Sequence, residues 1–225
     1  MRQSVIMDGG RGFSDVTLGE FAEQLASSSP IPGGGSASAV AAALAASLLA
    51  MVARLSLDRP KYESYRATNE RALEVAERAR RQLLVLADED AAAYGRFSAA
   101  MKLPRDTEEQ QQRRTAELRE AARQASEVPL AVVEECAVLL DEVERLAGRS
   151  NLNAASDLEV AARLSAAAAR GAAANVRINL PHVGDERFAG GATARLDGLL
   201  KTIERDMLHA SQRVAGGGLR DPETA

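Results

Sequence analysis

Carboxylates, amides and arginines carry whatever chemistry this chain performs. Its 225 residues include one cysteine, Cys136, and two histidines, His182 and His209, so the sequence offers no internal disulfide and no Cys/His set of zinc spacing. Asp88, Glu89 and Asp90 fall in a helical stretch of Ala and Leu, where capping does not account for aspartate; a solvated face and an acid/base group are the alternatives. Asn151, Asn153, Ser156 and Asp157 gather at a helix start, and Ser156-Asp157-Leu158-Glu159 fits a capping box on its own. Asn175 and Asn179, four residues apart, share one face of an apolar helix. Buried there, they must satisfy backbone groups or bind something polar. Arg113-Arg114 suits helix carboxylates at i±4 or an anionic ligand held bidentately. His182, just after Pro181, is read as a surface residue ahead of an acid or base.

The segment Pro30-Ile31-Pro32-Gly33-Gly34-Gly35-Ser36 adds a second kind of site. Three glycines let the backbone approach a ligand closely, and Ser36 is expected to cap the alanine-rich helix from Ala37 to Leu57. Exposed amides at such a helix start attract anionic or carbonyl oxygens; the plainer alternative is a bending linker.

These groups must be positioned by helices, because no run of β-branched and aromatic residues alternates long enough for a strand. Thr17-Leu18-Gly19-Glu20 is a capping box for a first helix, and a long helix is expected from Lys61 to Met101, ended by Leu103-Pro104. Asp106 to Glu109 caps a helix to Ser126, and Pro129 opens the next, which ends near Gly148. Another runs from the Asn151 region to Leu180, and the last from Asp185 to Val214. The expectation is an all-α, single-domain bundle of about seven helices over residues 14–214, with flexible tails at 1–13 and 216–225. An Ala-rich face would make a natural dimer surface.

A formal net charge of −4 with both signs interspersed points to neither a nucleic-acid surface nor a polybasic membrane anchor. Ser36 to Ala53 is eighteen residues without a charge, long enough for a membrane span, but it is mostly Ala and Ser and lacks an aromatic belt. A central buried helix is the expectation instead. The first ten residues lack an apolar run of signal-peptide length, so a cytoplasmic location is expected.

Taken in order, Phe21 with Ala26-Ser27, Pro32-Gly33-Gly34-Gly35-Ser36, Met51-Val52, Asp88 and Asp90, Leu103-Pro104, Arg113-Arg114-Thr115, Val128-Pro129-Leu130, Asn151-Leu152, Ser156-Asp157-Leu158 and Asn175-Val176 with Ile178-Asn179-Leu180 resemble the cyclodeaminase/cyclohydrolase family. That family comprises the C-terminal domain of formiminotransferase-cyclodeaminase and free-standing bacterial relatives, including methenyltetrahydrofolate cyclohydrolases. The resemblance covers Ser14 to Val214.

The resemblance implies an all-helical homodimer that uses no metal or cofactor and acts on a tetrahydrofolate derivative. As a cyclodeaminase it would convert 5-formiminotetrahydrofolate to 5,10-methenyltetrahydrofolate and ammonia, supplied by a separate formiminotransferase. A cyclohydrolase would instead add water to the methenyl carbon, and a non-catalytic folate-binding module is the third alternative. The implied catalytic carboxylates are Asp157 first and Asp90 second. Asn151, Asn153, Asn175 and Asn179 are the implied substrate amides, Gly33, Gly34, Gly35 and Ser36 would receive a folate oxygen, and Arg114 would meet the glutamate tail. One departure stands out: where relatives carry a Gly-Lys type turn, this chain has Leu57-Asp58-Arg59-Pro60-Lys61-Tyr62, stiffened by proline.

Overall fold

The computed structural model describes residues 12–222; residues 1–11 and 223–225, expected as tails, lie outside them. Six α-helices account for most of the described chain, joined by short turns and 3-10 segments, with no strand among these residues. They are α1 (Leu18–Leu25), α2 (Gly34–Leu57), α3 (Arg66–Met101), α4 (Glu108–Leu146), α5 (Ala155–Asn179) and α6 (Glu186–Gly216).

Local chemistry explains most boundaries. Thr17 Oγ1 accepts from the Glu20 amide at 3.2 Å and Glu20 Oε2 accepts from the Thr17 amide at 2.7 Å, the reciprocal box expected there. α4 starts one residue later than expected: Thr107, not Asp106, caps it, paired with Gln110. Asp185 accepts from the Phe188 amide at 3.0 Å to start α6, and Gly217, at φ 67°, ends it.

Six helices replace the expected seven because α4 runs unbroken through Pro129. Its apolar face continues past the proline, with Leu130, Val132, Val133, Cys136, Leu139 and Leu140 all in the core. Burial of that face outweighs the cost of one missing backbone hydrogen bond.

α2 packs mainly against α3 and α5, while α4 closes over α3 and α5 and supports α6. Alanines make this possible: Ala39, Ala42, Ala46 and Ala53 on α2, Ala72, Ala76 and Ala79 on α3, and Ala161, Ala162, Ala169 and Ala173 on α5 are fully buried in one cluster. Small side chains allow close approach of the axes. α2 is long and apolar enough to cross a membrane, with a mean hydropathy of 2.0, but half of that window is buried inside the molecule.

The segment after α6, expected as a flexible tail, folds back on the α3 and α4 ends. The Arg220 amide donates to Gly148 O at 2.8 Å, and the Tyr65 hydroxyl donates to Arg220 O at 2.7 Å.

Close packing makes a direct prediction. Ala46→Leu, at a position with no exposure, should destabilise the fold by about 2 kcal/mol or more through overpacking. Urea unfolding of the variant against the wild type measures it.

Candidate active site

A cavity of about 380 Å³ opens at the amino end of α2. Gly33, Gly34 and Gly35 form one wall, Asp90, Tyr94 and Phe97 of α3 a second, and Asn175 and Asn179 of α5 a third. Two clefts of similar size, about 390 and 420 Å³, are lined largely by arginines and carboxylates of α3, α4 and α6. The α2 cavity differs from them in gathering one carboxylate, two amides and a helix amino end around an apolar floor.

The helix start is not built as its sequence suggests. Gly33 is the N-cap and offers no side chain, so helix geometry begins at Gly34, three residues earlier than expected. The Ala37 amide is the first to bond within the helix, to Gly33 O at 3.0 Å, and the amides of Gly34 and Gly35 have no helical partner. Ser36 is therefore no cap. Fully buried, its hydroxyl lies 2.9 Å from Ala87 O and 3.0 Å from Asp90 Oδ2.

Asp90 is the most strongly conditioned group here. Burial raises its pKa above the usual carboxylate range, although the Ser36 hydroxyl and Ser36 amide, bonded to the charged form, oppose that rise. Gly35 is fixed by the same contact, since a Cβ there would collide with the Asp90 carboxylate. Asp88 is occupied elsewhere. Its Oδ1 accepts from the Phe13 amide at 2.7 Å and so ties the N-terminal segment to α3.

The two amides of α5 are oriented by backbone carbonyls. Asn175 Nδ2 donates to Gly171 O at 3.0 Å, and Asn179 Nδ2 donates to Ala125 O at 2.7 Å. A carbonyl can only accept, so these bonds fix which end of each amide is nitrogen; one of its two N–H groups is used, and each Oδ1 is left as an acceptor.

Other expected site residues fall elsewhere. Asn151 Oδ1 accepts from the Asn153 amide at 3.1 Å and caps the 3-10 turn Leu152–Ala154, while its own amide donates to Ser56 Oγ at 2.8 Å. Asp157 lies in the first turn of α5, and the N-cap of that helix is Ala154 rather than Ser156. Asp157 is thus eighteen residues from Asn175 on one helix, roughly 27 Å at 1.5 Å per residue. Within one chain, Asn151, Asn153 and Asp157 do not meet Asp90. The Pro60 turn belongs to their end, where the buried Tyr62 hydroxyl accepts from the Leu152 amide at 3.2 Å. Arg114 donates to Met101 O at 3.2 Å, closing the end of α3.

Two aromatic cavity residues went unnoticed in the sequence. Tyr94 and Phe97 follow Asp90 at i+4 and i+7, one helical face in a chain with few aromatics, so the spacing was a usable signal. His182 stands exposed at the rim, its ring 5.9 Å from that of Phe97. Among the described residues no three His, Cys, Asp or Glu side chains gather to hold a metal ion.

The all-helical fold agrees with that of a solved relative. The chain belongs to the formiminotransferase-cyclodeaminase family, whose model matches residues 17–198. It is 38% identical over 184 residues to methenyltetrahydrofolate cyclohydrolase of Methylorubrum extorquens, covering 82% of this chain and 88% of that protein. It is also 40% identical over 184 residues to formimidoyltransferase-cyclodeaminase of Sus scrofa, covering 82% of this chain but 34% of the pig protein. The crystal structure of formiminotetrahydrofolate cyclodeaminase from Thermotoga maritima aligns with a TM-score of 0.82 at 32% identity, covering 90% of this chain and 98% of that one.

Ser36→Ala removes a hydrogen bond that favours the charged Asp90. The Asp90 pKa, followed by carboxyl ¹³C NMR, should lie above the ordinary carboxylate range in the wild type and rise further in the variant. An unchanged or lower value in Ser36→Ala would contradict this electrostatic account.

Proposed function

We propose that this protein is a folate one-carbon enzyme, a formiminotetrahydrofolate cyclodeaminase, with its reaction centre at the Asp90 cavity. The supporting observation is a single half-buried carboxylate of raised pKa set between a glycine-built helix start and two fixed amide acceptors. Ring closure requires N10 to attack the formimino carbon, giving a tetrahedral carbon bonded to N5, N10 and the departing nitrogen. With the formimino group entering protonated, N10 must lose one proton and the departing nitrogen must gain one before it leaves as ammonia. One carboxyl group balances both transfers. Ionised Asp90 takes the N10 proton and returns it to the leaving nitrogen, and its raised pKa makes it a stronger base for the first transfer. The free amides of Gly34 and Gly35 receive a folate oxygen, while Asn175 and Asn179 accept from the N–H edge of the pterin.

The reading extends to a homodimer. Leu44, Leu48, Met51 and Leu55 form a stripe along α2 at alternating spacings of four and three; Leu44, Met51 and Leu55 are 52%, 37% and 40% exposed, and Leu48 is half-buried. An uncharged stripe is self-complementary about a two-fold axis, since it brings no like charges together. Antiparallel pairing of two α2 helices would carry the carboxyl end of the partner's helix, with the Asn151–Asp157 cluster bonded at Ser56, towards this chain's cavity. Asp157 then supplies a second carboxylate against the developing amidinium, with Asn151 and Asn153 beside it.

Cyclohydrolase is the second reading, favoured by the match to most of the length of the Methylorubrum extorquens protein. Water adds to the methenyl carbon as Asp90 takes its proton, and the carbon–N5 bond then breaks with N5 gaining the hydroxyl proton, leaving the formyl group on N10. The chain spans about a third of the pig protein, and in the first reading a separate transferase supplies the formimino substrate.

Absorbance of the methenyl chromophore separates the readings. A catalysed rise with 5-formiminotetrahydrofolate is expected; accelerated decay of 5,10-methenyltetrahydrofolate without that rise identifies the cyclohydrolase, and no change with either substrate refutes both. Asp90→Asn should lower turnover by about 10²-fold or more. Because the folded Asp90 pKa is raised, its ionised form costs stability as pH rises through it, so the amide variant should melt no lower than wild type at neutral pH.

The dimer makes its own prediction. Leu44→Glu with Leu55→Glu should give a monomer by analytical ultracentrifugation and abolish turnover. Mixing inactive Asp90→Asn and Asp157→Asn chains should restore about a quarter of wild-type activity, as half the dimers are mixed and each holds one intact site. No recovery on mixing would remove Asp157 from the shared site.

A further inference from the structure

Pro129 stands in the interior of α4, buried, at a place where a helix ordinarily excludes proline. Its missing N–H leaves the carbonyl four residues earlier, Ala125 O, without its helical partner. That carbonyl is the atom to which Asn179 Nδ2 donates at 2.7 Å, across from α5. Ala125 also lines the cavity together with Asn179. A proline ring displaces the i−4 carbonyl from the helix axis as well as leaving it unpaired, so it both frees Ala125 O and turns it outward.

We propose that Pro129 is a positioning residue that fixes the polarity of the binding site: by presenting the Ala125 carbonyl to Asn179, it commits the amide nitrogen and makes Asn179 Oδ1 a permanent acceptor. The Asn179 side chain makes no other hydrogen bond among the described residues, so nothing on α5 holds its side-chain amide. Asn175 reaches the same polarity from its own helix, by donating to Gly171 O. With Asp90 opposite, three side chains carry acceptor oxygens in a lining that also holds the α2 amides, Tyr94 and His182. The fixed Asn179 oxygen therefore suits a ring N–H, such as N3–H of a 2-amino-4-oxopteridine, and opposes a ring-nitrogen acceptor, such as N3 of a 2,4-diaminopteridine. This specificity rests on the folate reading above; the orientation of Asn179 does not.

Pro129→Ala tests it, since alanine restores an N–H that competes for Ala125 O and lets the carbonyl swing back to the axis. By side-chain amide NMR of the ligand-free protein, the bonded Asn179 Nδ2 proton should be protected in wild type and lose most of that protection in the variant. In equilibrium binding, the wild type should prefer the 4-oxo over the 4-amino pteridine by about tenfold, and the variant should shrink that preference to about twofold, as one hydrogen bond of correct polarity is at stake. In an Asn179→Ala background, Pro129→Ala should change the preference no further.

A lowered melting temperature with unchanged Asn179 protection and unchanged preference would make Pro129 merely structural and overturn the proposal. If Pro129→Ala does not fold, Asn179→Leu serves: it keeps the bulk and removes the Oδ1 acceptor, and an undiminished 4-oxo preference there overturns the proposal equally. Failure of the wild type to bind either pteridine refutes the folate reading, and the amide protection then decides the role of Pro129 alone.

Discussion

The contact between Ser36 and Asp90 joins the amino end of α2 to the middle of α3, and much of the molecule is arranged to permit it. The carboxylate reaches the helix start only because Gly35 has no Cβ, and Ser36 is buried there rather than capping its own helix. Such an approach needs α2 and α3 close along their length, which small core residues allow, Ala39, Ala42 and Ala46 on α2 and Ala72, Ala76 and Ala79 on α3. Larger side chains on either helix would lift the carboxylate away from the amides. The composition of the core and the protonation behaviour of one aspartate are therefore a single problem. A core of small residues gains little hydrophobic energy per residue, and the chain compensates with long helices, α3 and α4 being 36 and 39 residues.

Helix class was legible in the sequence because capping chemistry is local. Thr17 with Glu20 settles one helix start with two reciprocal hydrogen bonds inside four residues. Two misreadings share one cause, namely that a local rule met a tertiary partner. Serine ahead of an alanine run ordinarily caps, but Asp90 and Ala87 of α3 claim Ser36, and glycines that usually sit outside a helix become its first turn. Proline ordinarily breaks a helix, but Asn179 satisfies the orphaned carbonyl and the core holds both sides of α4 together. Neither partner is near in sequence, so no window of neighbouring residues could reveal it.

The candidate site was legible in part, and the part reflects geometry. Gly33 to Gly35, Asp90, Asn175 and Asn179 come from three distant segments and converge on one cavity. Asn151, Asn153 and Asp157 belong to the same sequence signature but sit where α5 begins, not where it ends. A signature records which residues matter together without saying that one chain brings them together. Two-fold symmetry is the simplest operation that exchanges the two ends of a long central helix, which is why the exposed stripe on α2 and the divided carboxylates invite the same explanation.

Backbone geometry decides which ends of several polar groups the cavity meets. The amides of α2 donate, because the helix start exposes N–H groups, and the acid on α3 and the Oδ1 atoms on α5 are acceptors. Asparagine is intrinsically ambiguous, able to present either end. On α5 both copies are disambiguated by spending their nitrogens on backbone carbonyls, one native to the helix and one released by a proline on its neighbour. A site assembled in this way has its polarity set by the backbone, and side-chain rotation alone cannot reverse it. For a reaction whose transition state spreads positive charge over two nitrogens, a wall fixed as acceptors is already organised before the substrate arrives, so the stabilisation requires little rearrangement during the chemical step.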